Sequence, residues 1–407
     1  MQQYLDTMRN VLETGVVKGD RTGTGTISKF GGLMRFPLDN NQWHVPTTRK
    51  VAYMKIAEEL EWMIKGLINV QWLNDKNNNI WNSWVGADGT IGPMYGEQWR
   101  NWNAGLRKMS EEDEMELTRL LNEESYSKMI DDPELTPNMA LEVFKKFLAE
   151  KTKPYEQGGR GGVDQLQGVV TELLLRPESR RICVNVWNAS VSPDPTKTPA
   201  ENVDMGNMAL AACHSMWQVN TQPIPDITIL ANWIEKNFNM PEGGSKEFFI
   251  ADQLVDMGWA VNAPLKQNTT SFKNINERVA ITDLGIQFAN GERANGAPAH
   301  YLSLLCFARS QDLPLGTAYN VGMYSLLAHL LAALTNMVPY EYIHVMGDYH
   351  IYLNQVALVT EQLLRRPMKT PRVLIDPTLT NINDFEAKNL VVEYESHPAL
   401  VFPKAAV

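Results

Sequence analysis

Three cysteines in 407 residues, Cys183, Cys213 and Cys306, are too few and too scattered for a disulfide framework, and no CxxC or HxxxH pair exists to seat zinc. Free thiols in a reducing cytoplasm, and no metal site, are the expectation. A basic surplus is also missing: 37 Lys and Arg face 47 Asp and Glu, a formal charge of -10. That excludes a general nucleic-acid binder, because non-specific affinity for phosphate backbones needs a basic surface. A few arginines can still line a pocket for a small anion. No stretch approaches the roughly 20 apolar residues of a membrane span. The opening MQQYLDTMRNVLETG lacks the basic and apolar regions of a signal peptide, so neither insertion nor export is expected. Repeats and low-complexity tracts are absent as well.

What is present reads as an ordinary globular chain, 44% hydrophobic and 21% charged, long enough for two domains or one enlarged one. Between Lys50 and Leu67, the residues Ile56, Leu60, Met63, Ile64 and Leu67 recur at helical spacing and predict an amphipathic helix. MYSLLAHLLAALTNM, from Met323 to Met337, is apolar nearly all round and predicts a helix inside the core. HSMWQVN and YLSLLCFA read as strands. Two blocks interrupt this pattern. Residues 104–167 are acidic, helical in character and end in GGRGG, and residues 221–299 mix helical and polar segments; both read as insertions.

The candidate nucleophile is Cys213, in MALAACHSMWQ, beside a polar His-Ser pair. A lone cysteine is more often a buried, inert thiol. The arginines Arg180, Arg181 and Arg309 raise the functional reading, since nearby cations lower a thiol pKa from about 8.5. RTGTGT, starting at Arg21, offers backbone amides to a phosphate but lacks the lysine of a P-loop and the third glycine of a dinucleotide fingerprint. His350 and Tyr352 in GDYHIYLNQ would face the same side of a strand.

Taken in chain order, RTGTGT, EELEWMIKG, IWNSWVGADGTIGPMYGEQWRNW, PESRRICVNVWN, MALAACHSMWQ, ARSQDLPLGTAYNVGMYSLLAHLLA and IHVMGDYHIYLNQ closely resemble the thymidylate synthase family. The resemblance covers about residues 1–103, 168–220 and 300–407 and omits the two interrupting blocks. It implies an α/β (α+β) fold, with a large mixed sheet packed back to back in a homodimer. It implies that Cys213 adds to C6 of deoxyuridylate, so that C5 can take a one-carbon unit from 5,10-methylenetetrahydrofolate. On the same ground Glu59 is the general acid-base, Tyr95 and Asp312 assist, and Arg309 serves the catalytic centre. Arg21, Arg309 and Ser310 would hold the 5′-phosphate, with Arg180 and Arg181 supplied across the dimer. Gln218 and Asn320 would meet the nucleotide, Asn320 reading the base, and His350 and Tyr352 the deoxyribose. Trp81, Trp84, Asp312, Gly316 and the C-terminal Val407 would line the folate site.

This chain departs from the family wording in four places. Ala212 replaces the usual proline before the nucleophile; HVPTTRK stands for the usual FPLLTTK; the end reads FPKAAV; and ELEW, with Glu61, matches phage deoxycytidylate hydroxymethylases rather than the common ELLW. The expectation is therefore a specialised, phage-type relative acting in the cytoplasm, whose product is 5-hydroxymethyl-deoxyuridylate. Glu61 would help order a water there. Trp81 and Leu210, unchanged, favour thymidylate synthesis instead. A catalytically silent nucleotide- or RNA-binding homologue is a third reading, disfavoured by the joint presence of Cys213, Glu59, Arg309 and Asn320.

Overall fold

The computed structural model describes residues 1–20, 23–102, 162–241, 245–263 and 274–403. Arg21, Val407 and most of the block 104–167 lie outside the described residues. Ten strands are described: β1 (Val16–Lys18), β2 (Thr26–Pro37), β3 (Cys183–Asn185), β4 (His214–Pro223), β5 (Ala260–Asn262), β6 (Val279–Ile281), β7 (His300–Asp312), β8 (Val338–Tyr352), β9 (Arg372–Leu374) and β10 (Val391–Glu393). Six form one mixed sheet in the order β1-β2-β8-β7-β4-β3. Only β7 and β8 run parallel within it, as a crossover requires. Their connection is the helix Ala318–Leu334, buried on almost every side, which is why its sequence is apolar all round.

Period-two burial shows which face of the sheet meets the core. Leu302, Leu304, Cys306 and Ala308 of β7 are each 0% exposed. The opposite face carries Leu33, Val345, Phe307 and Met216 in one row across four strands. Leu33 of that row is 54% exposed. The core face is covered by the helices Gln2–Thr14 and Ala318–Leu334, with Tyr53–Ile64 packed on the latter, and the Trp43 indole donates to the Gly322 carbonyl at 2.7 Å to lock that core helix.

Residues 224–299 gather around a second core of Leu230, Ile234, Leu254 and Trp259. Three helices, Asp226–Asn237, Lys246–Asp256 and Asp283–Ala294, surround the β5–β6 hairpin, and the Trp259 and Phe288 rings stack 4.1 Å apart. This lobe grows from the end of β4 and the start of β7, where Pro223 pairs with His300. The loop carrying Cys213 enters at the other end of β4, about 30 Å away at ~3.4 Å per residue.

Candidate active site

Cys213 lies immediately before β4, on a loop fixed at several points. Met208 and Ala209 donate backbone N–H groups to the carbonyls of Val191 and Ile91. Gly92 (φ +69) lies so close that a Cβ there would come within 2.1 Å of the Asn207 carbonyl oxygen, so only glycine fits. The Cys213 N–H donates to the Tyr95 hydroxyl at 3.1 Å. Arg309 of β7 completes the brace: its N–H donates to the Cys213 carbonyl at 2.8 Å, its Nε to the Ala212 carbonyl at 2.8 Å and its Nη2 to the Ala211 carbonyl at 2.7 Å. The Trp187 ring covers the guanidinium at 5.3 Å. Burial pushes the Cys213 thiol up, the Arg309 charge opposes this, and Asp312 adds to it.

Facing this loop is Glu59, on the helix Tyr53–Ile64. One carboxylate oxygen accepts from the Trp81 indole N–H at 3.0 Å. Burial raises its pKa to about 7, with the Trp81 bond opposing. A carboxyl so placed exchanges a proton near neutral pH. Tyr95 joins the two halves, since its ring lies 5.7 Å from Trp81 and stacks on His214 at 4.0 Å. Trp84 meets Trp81 edge-on at 5.6 Å, and its buried indole N–H has no partner among the described residues.

The remaining predicted residues lie on β7, the turn after it, the core helix, β8 and the β3–β4 edge of the sheet. Asp312 accepts from the Leu315 N–H and the Gln355 amide, both at 3.1 Å, and burial raises its pKa. Gly316 lies in the turn Leu313–Thr317 that follows. Asn320, on the first turn of the core helix, donates to the Gln311 amide oxygen at 3.4 Å. Ser310 is paired with Asp348 across β7 and β8, and Asp348 accepts from His350 at 2.8 Å and from Lys18 at 2.7 Å. The Tyr352 and His350 rings meet edge-on at 5.1 Å. Arg180 and Arg181 are exposed where the chain enters the edge strand β3; the Arg180 carbonyl accepts from Gln218 at 3.3 Å. No hydrogen bond or ion pair joins either arginine to Cys213, Arg309 or Ser310 among the described residues.

One expectation is corrected. Glu61 is 5% exposed, accepts from the Ala387 backbone N–H at 2.9 Å and pairs with Lys65 at 3.6 Å. It anchors the segment after β9 and orders no water in the pocket. Four residues of the site went unread in the sequence. His214 was visible only as a polar neighbour of the cysteine, and Trp187 only as part of a quoted phrase. Gln311 and Gln355 gave no local signal: Gln311 is met by Asn320 from the core helix nine residues on, and Gln355 by Asp312 of β7.

The sequence model of the family described as thymidylate synthase matches residues 2–237 and 283–406. Thymidylate synthases of Francisella tularensis subsp. holarctica, from strains FTNF002-00 / FTA, OSU18 and LVS, are each 28% identical to this chain over 401 residues. Those alignments cover 98% of this chain and 98% of each relative.

Proposed function

The chain belongs to the thymidylate synthase family, and from that premise we propose that it converts deoxyuridylate to 5-hydroxymethyl-deoxyuridylate through a covalent bond between Cys213 and C6 of the base. The observation that carries the reading is the arrangement around Cys213: a loop thiol braced by Arg309 and Tyr95, facing a buried carboxyl with a pKa of about 7. Attack by the thiol on C6 moves the electron pair to C5, which then bonds to the incoming carbon. Methylenetetrahydrofolate would supply that carbon. The wall of Trp81 and Trp84 fits a flat pterin, and the unpartnered Trp84 N–H gives it a donor. Asp312, Gly316 and Val407 complete the folate assignment.

Glu59 uses one oxygen for Trp81, and the other has no partner among the described residues, so it can take a proton from a water that attacks the transferred carbon. Ala212 in place of proline and the FPKAAV ending support water access to that carbon. A second reading, thymidylate as product, is favoured by the Trp81–Glu59 contact, which keeps an indole over the place where hydride would travel, and by the names of the relatives.

Arg309 leaves Nη1 for the 5′-phosphate, and Ser310 and Arg21 would join it there. Gln218 and Asn320 serve the nucleotide, and His350 and Tyr352 the sugar hydroxyl. Arg180 and Arg181, exposed at their own sheet edge, would complete the phosphate site of a second copy. The row Leu33, Val345, Phe307 and Met216 would bury itself in that dimer. The lobe 221–299 is an insertion in this reading, as is 104–167, and the free cysteines suit a cytoplasmic enzyme. Incubation with deoxyuridylate and methylenetetrahydrofolate, followed by mass measurement of the nucleotide, tests the proposal. A product heavier than deoxyuridylate by a methyl rather than a hydroxymethyl group would decide for the second reading.

A further inference from the structure

Near the C-terminal end of β8 a carboxylate lies between a lysine and a histidine. Asp348 Oδ1 meets His350 Nδ1 at 2.8 Å, and its Oδ2 accepts from Lys18 Nζ at 2.7 Å. The Lys18 and Asp348 side chains are 48% and 33% exposed, whereas that of His350 is 10% exposed. The imidazole is thus the buried end of the row, and its edge-on contact with Tyr352 at 5.1 Å sets the ring plane. Its neighbours across the sheet leave the second ring nitrogen, Nε2, alone. Asp312, the register partner on β7, is bonded to the Leu315 N–H and the Gln355 amide. Ser28, the register partner on β2, has a buried hydroxyl with no bond among the described residues. The bond from Nδ1 is the one hydrogen bond of the ring among the described residues.

We propose that Asp348 fixes His350 in its Nδ1–H tautomer, so that Nε2 presents a lone pair to the site and selects a nucleotide whose sugar carries a 3′-hydroxyl. The direction of the bond follows from what each partner can give. An ammonium group only donates, so Oδ2 of Asp348 accepts. Burial works against the Asp348 charge, but the hydrogen bonds from Lys18 and His350 outweigh it and bring the pKa below the ordinary 3.8. The carboxylate is therefore ionised at neutral pH, and an ionised carboxylate has no proton to donate. The proton of the 2.8 Å bond accordingly sits on Nδ1. A neutral imidazole has one N–H, which leaves Nε2 an acceptor. Deoxyuridylate has one free sugar hydroxyl, the 3′, because its 5′ oxygen carries the phosphate and its 2′ carbon carries only hydrogen. Nε2 holds that hydroxyl as a donor. A 3′-fluorine is of similar size but brings no proton, and leaves Nε2 unpaired.

The meeting of that hydroxyl with His350 rests on the proposed function; the tautomer does not. Asp348 is a positioning residue, since it acts on the sugar only through the imidazole. The test is ring-nitrogen NMR at pH 8 on the full-length protein labelled at histidine, with the His350 signals assigned by their loss in His350→Gln, beside nucleotide binding. The unaltered protein should show His350 protonated at Nδ1 only, and should bind deoxyuridylate about tenfold more tightly than its 3′-fluoro analogue. Asp348→Ala removes the acceptor; it should give a mixture of tautomers and narrow that preference to about twofold. A His350 protonated at Nε2 in the unaltered protein, alone or together with Nδ1, would overturn the proposal. So would a single Nδ1–H form retained in Asp348→Ala, or equal affinity of the unaltered protein for the two nucleotides. Failure of the unaltered protein to bind or turn over deoxyuridylate at all would instead refute the functional reading and leave the tautomer result standing.

Discussion

The Tyr95 hydroxyl accepts the backbone N–H of Cys213 at 3.1 Å, while the same ring lies against Trp81, the partner of Glu59. One side chain thus links the loop of the proposed nucleophile to the tryptophan that holds the proposed proton carrier. Tyr95 does so from a backbone at φ +24, outside ordinary helical values, at the first residue of the helix Tyr95–Arg100. Strain of this kind costs about 1–3 kcal/mol and persists where surrounding contacts impose it.

Cys213→Ser should abolish turnover while deoxyuridylate still binds, because a serine hydroxyl keeps its proton where a thiolate is needed. Cys306 offers no substitute: it is fully buried, and its thiol is pushed up to about 12. A 5-fluorinated deoxyuridylate given with the folate should leave a covalent adduct that peptide mapping finds on Cys213. An adduct on Cys183 or Cys306 would disprove the assignment.

Glu59 should make the protein less stable as pH rises. Its pKa is about 7 in the fold against 4.5 for a free glutamate, so between those values the native state holds a proton that the unfolded chain has lost. Stability from this group is complete below pH 4.5 and falls as pH climbs toward 7, by at most about 1.4 kcal/mol per pH unit and about 3 kcal/mol in all. Glu59→Gln cannot ionise and should remove that slope. Urea denaturation of both proteins at pH 4.5 and pH 8 checks it; parallel curves would show that Glu59 is not held protonated.

Glu61 separates an anchoring role from a water-ordering one. Glu61→Leu leaves the Ala387 N–H without its acceptor and should cost about 1–3 kcal/mol. Glu61→Gln keeps an oxygen for Ala387, should cost under about 1 kcal/mol, and should leave turnover within about twofold. A large loss of turnover in Glu61→Gln with unchanged stability would return Glu61 to the pocket chemistry.

Much of this was legible because it is local. The apolar spacing from Lys50 to Leu67 gave the helix that carries Glu59, which runs Tyr53–Ile64 and ends before Gly66, at φ +67. The core helix begins at Ala318 rather than Met323, because its first turn carries polar Asn320 toward Gln311 and hides the apolar period. Glu61 was misread for a non-local reason: its spacing places it further round than Glu59 from the apolar stripe, where a solvated carboxylate is expected, and only the fold brings Ala387 over it. Arg309 shows the same limit, since a sequence can offer an arginine to a phosphate but cannot show that two of its nitrogens hold carbonyls. The Tyr324–His214 and Tyr342–His344 pairs were invisible, for each member looks like ordinary strand or helix interior.

Base choice should rest on Asn320. Its amide can donate to O4 and accept from N3–H of uracil, and cytosine reverses part of that pattern. Deoxyuridylate should be preferred over deoxycytidylate by factors that reach about 10⁴ when buried polar groups are left unpaired. Asn320→Asp should narrow the gap, because a protonated carboxyl can donate to N3 of cytosine. Equal kcat/KM for the two nucleotides in the unaltered protein would remove Asn320 from this role.

The product is the last question, and the cofactor answers it. Methylation and hydroxymethylation share every step up to a one-carbon unit on C5, so the roles proposed for Cys213, Arg309 and Tyr95 fit both. What separates them is whether water or hydride reaches that carbon, and a synthase must keep water out until hydride arrives. Glu59 retains an oxygen not used by Trp81, and the family's proline before the nucleophile is Ala212, both of which favour water. Trp81 over Glu59 favours hydride. Hydroxymethylation returns tetrahydrofolate, whereas methylation oxidises it to dihydrofolate, which absorbs in the near ultraviolet. Turnover of deoxyuridylate with no rise in that absorbance is the expected outcome, and one dihydrofolate formed per nucleotide would make this enzyme a thymidylate synthase.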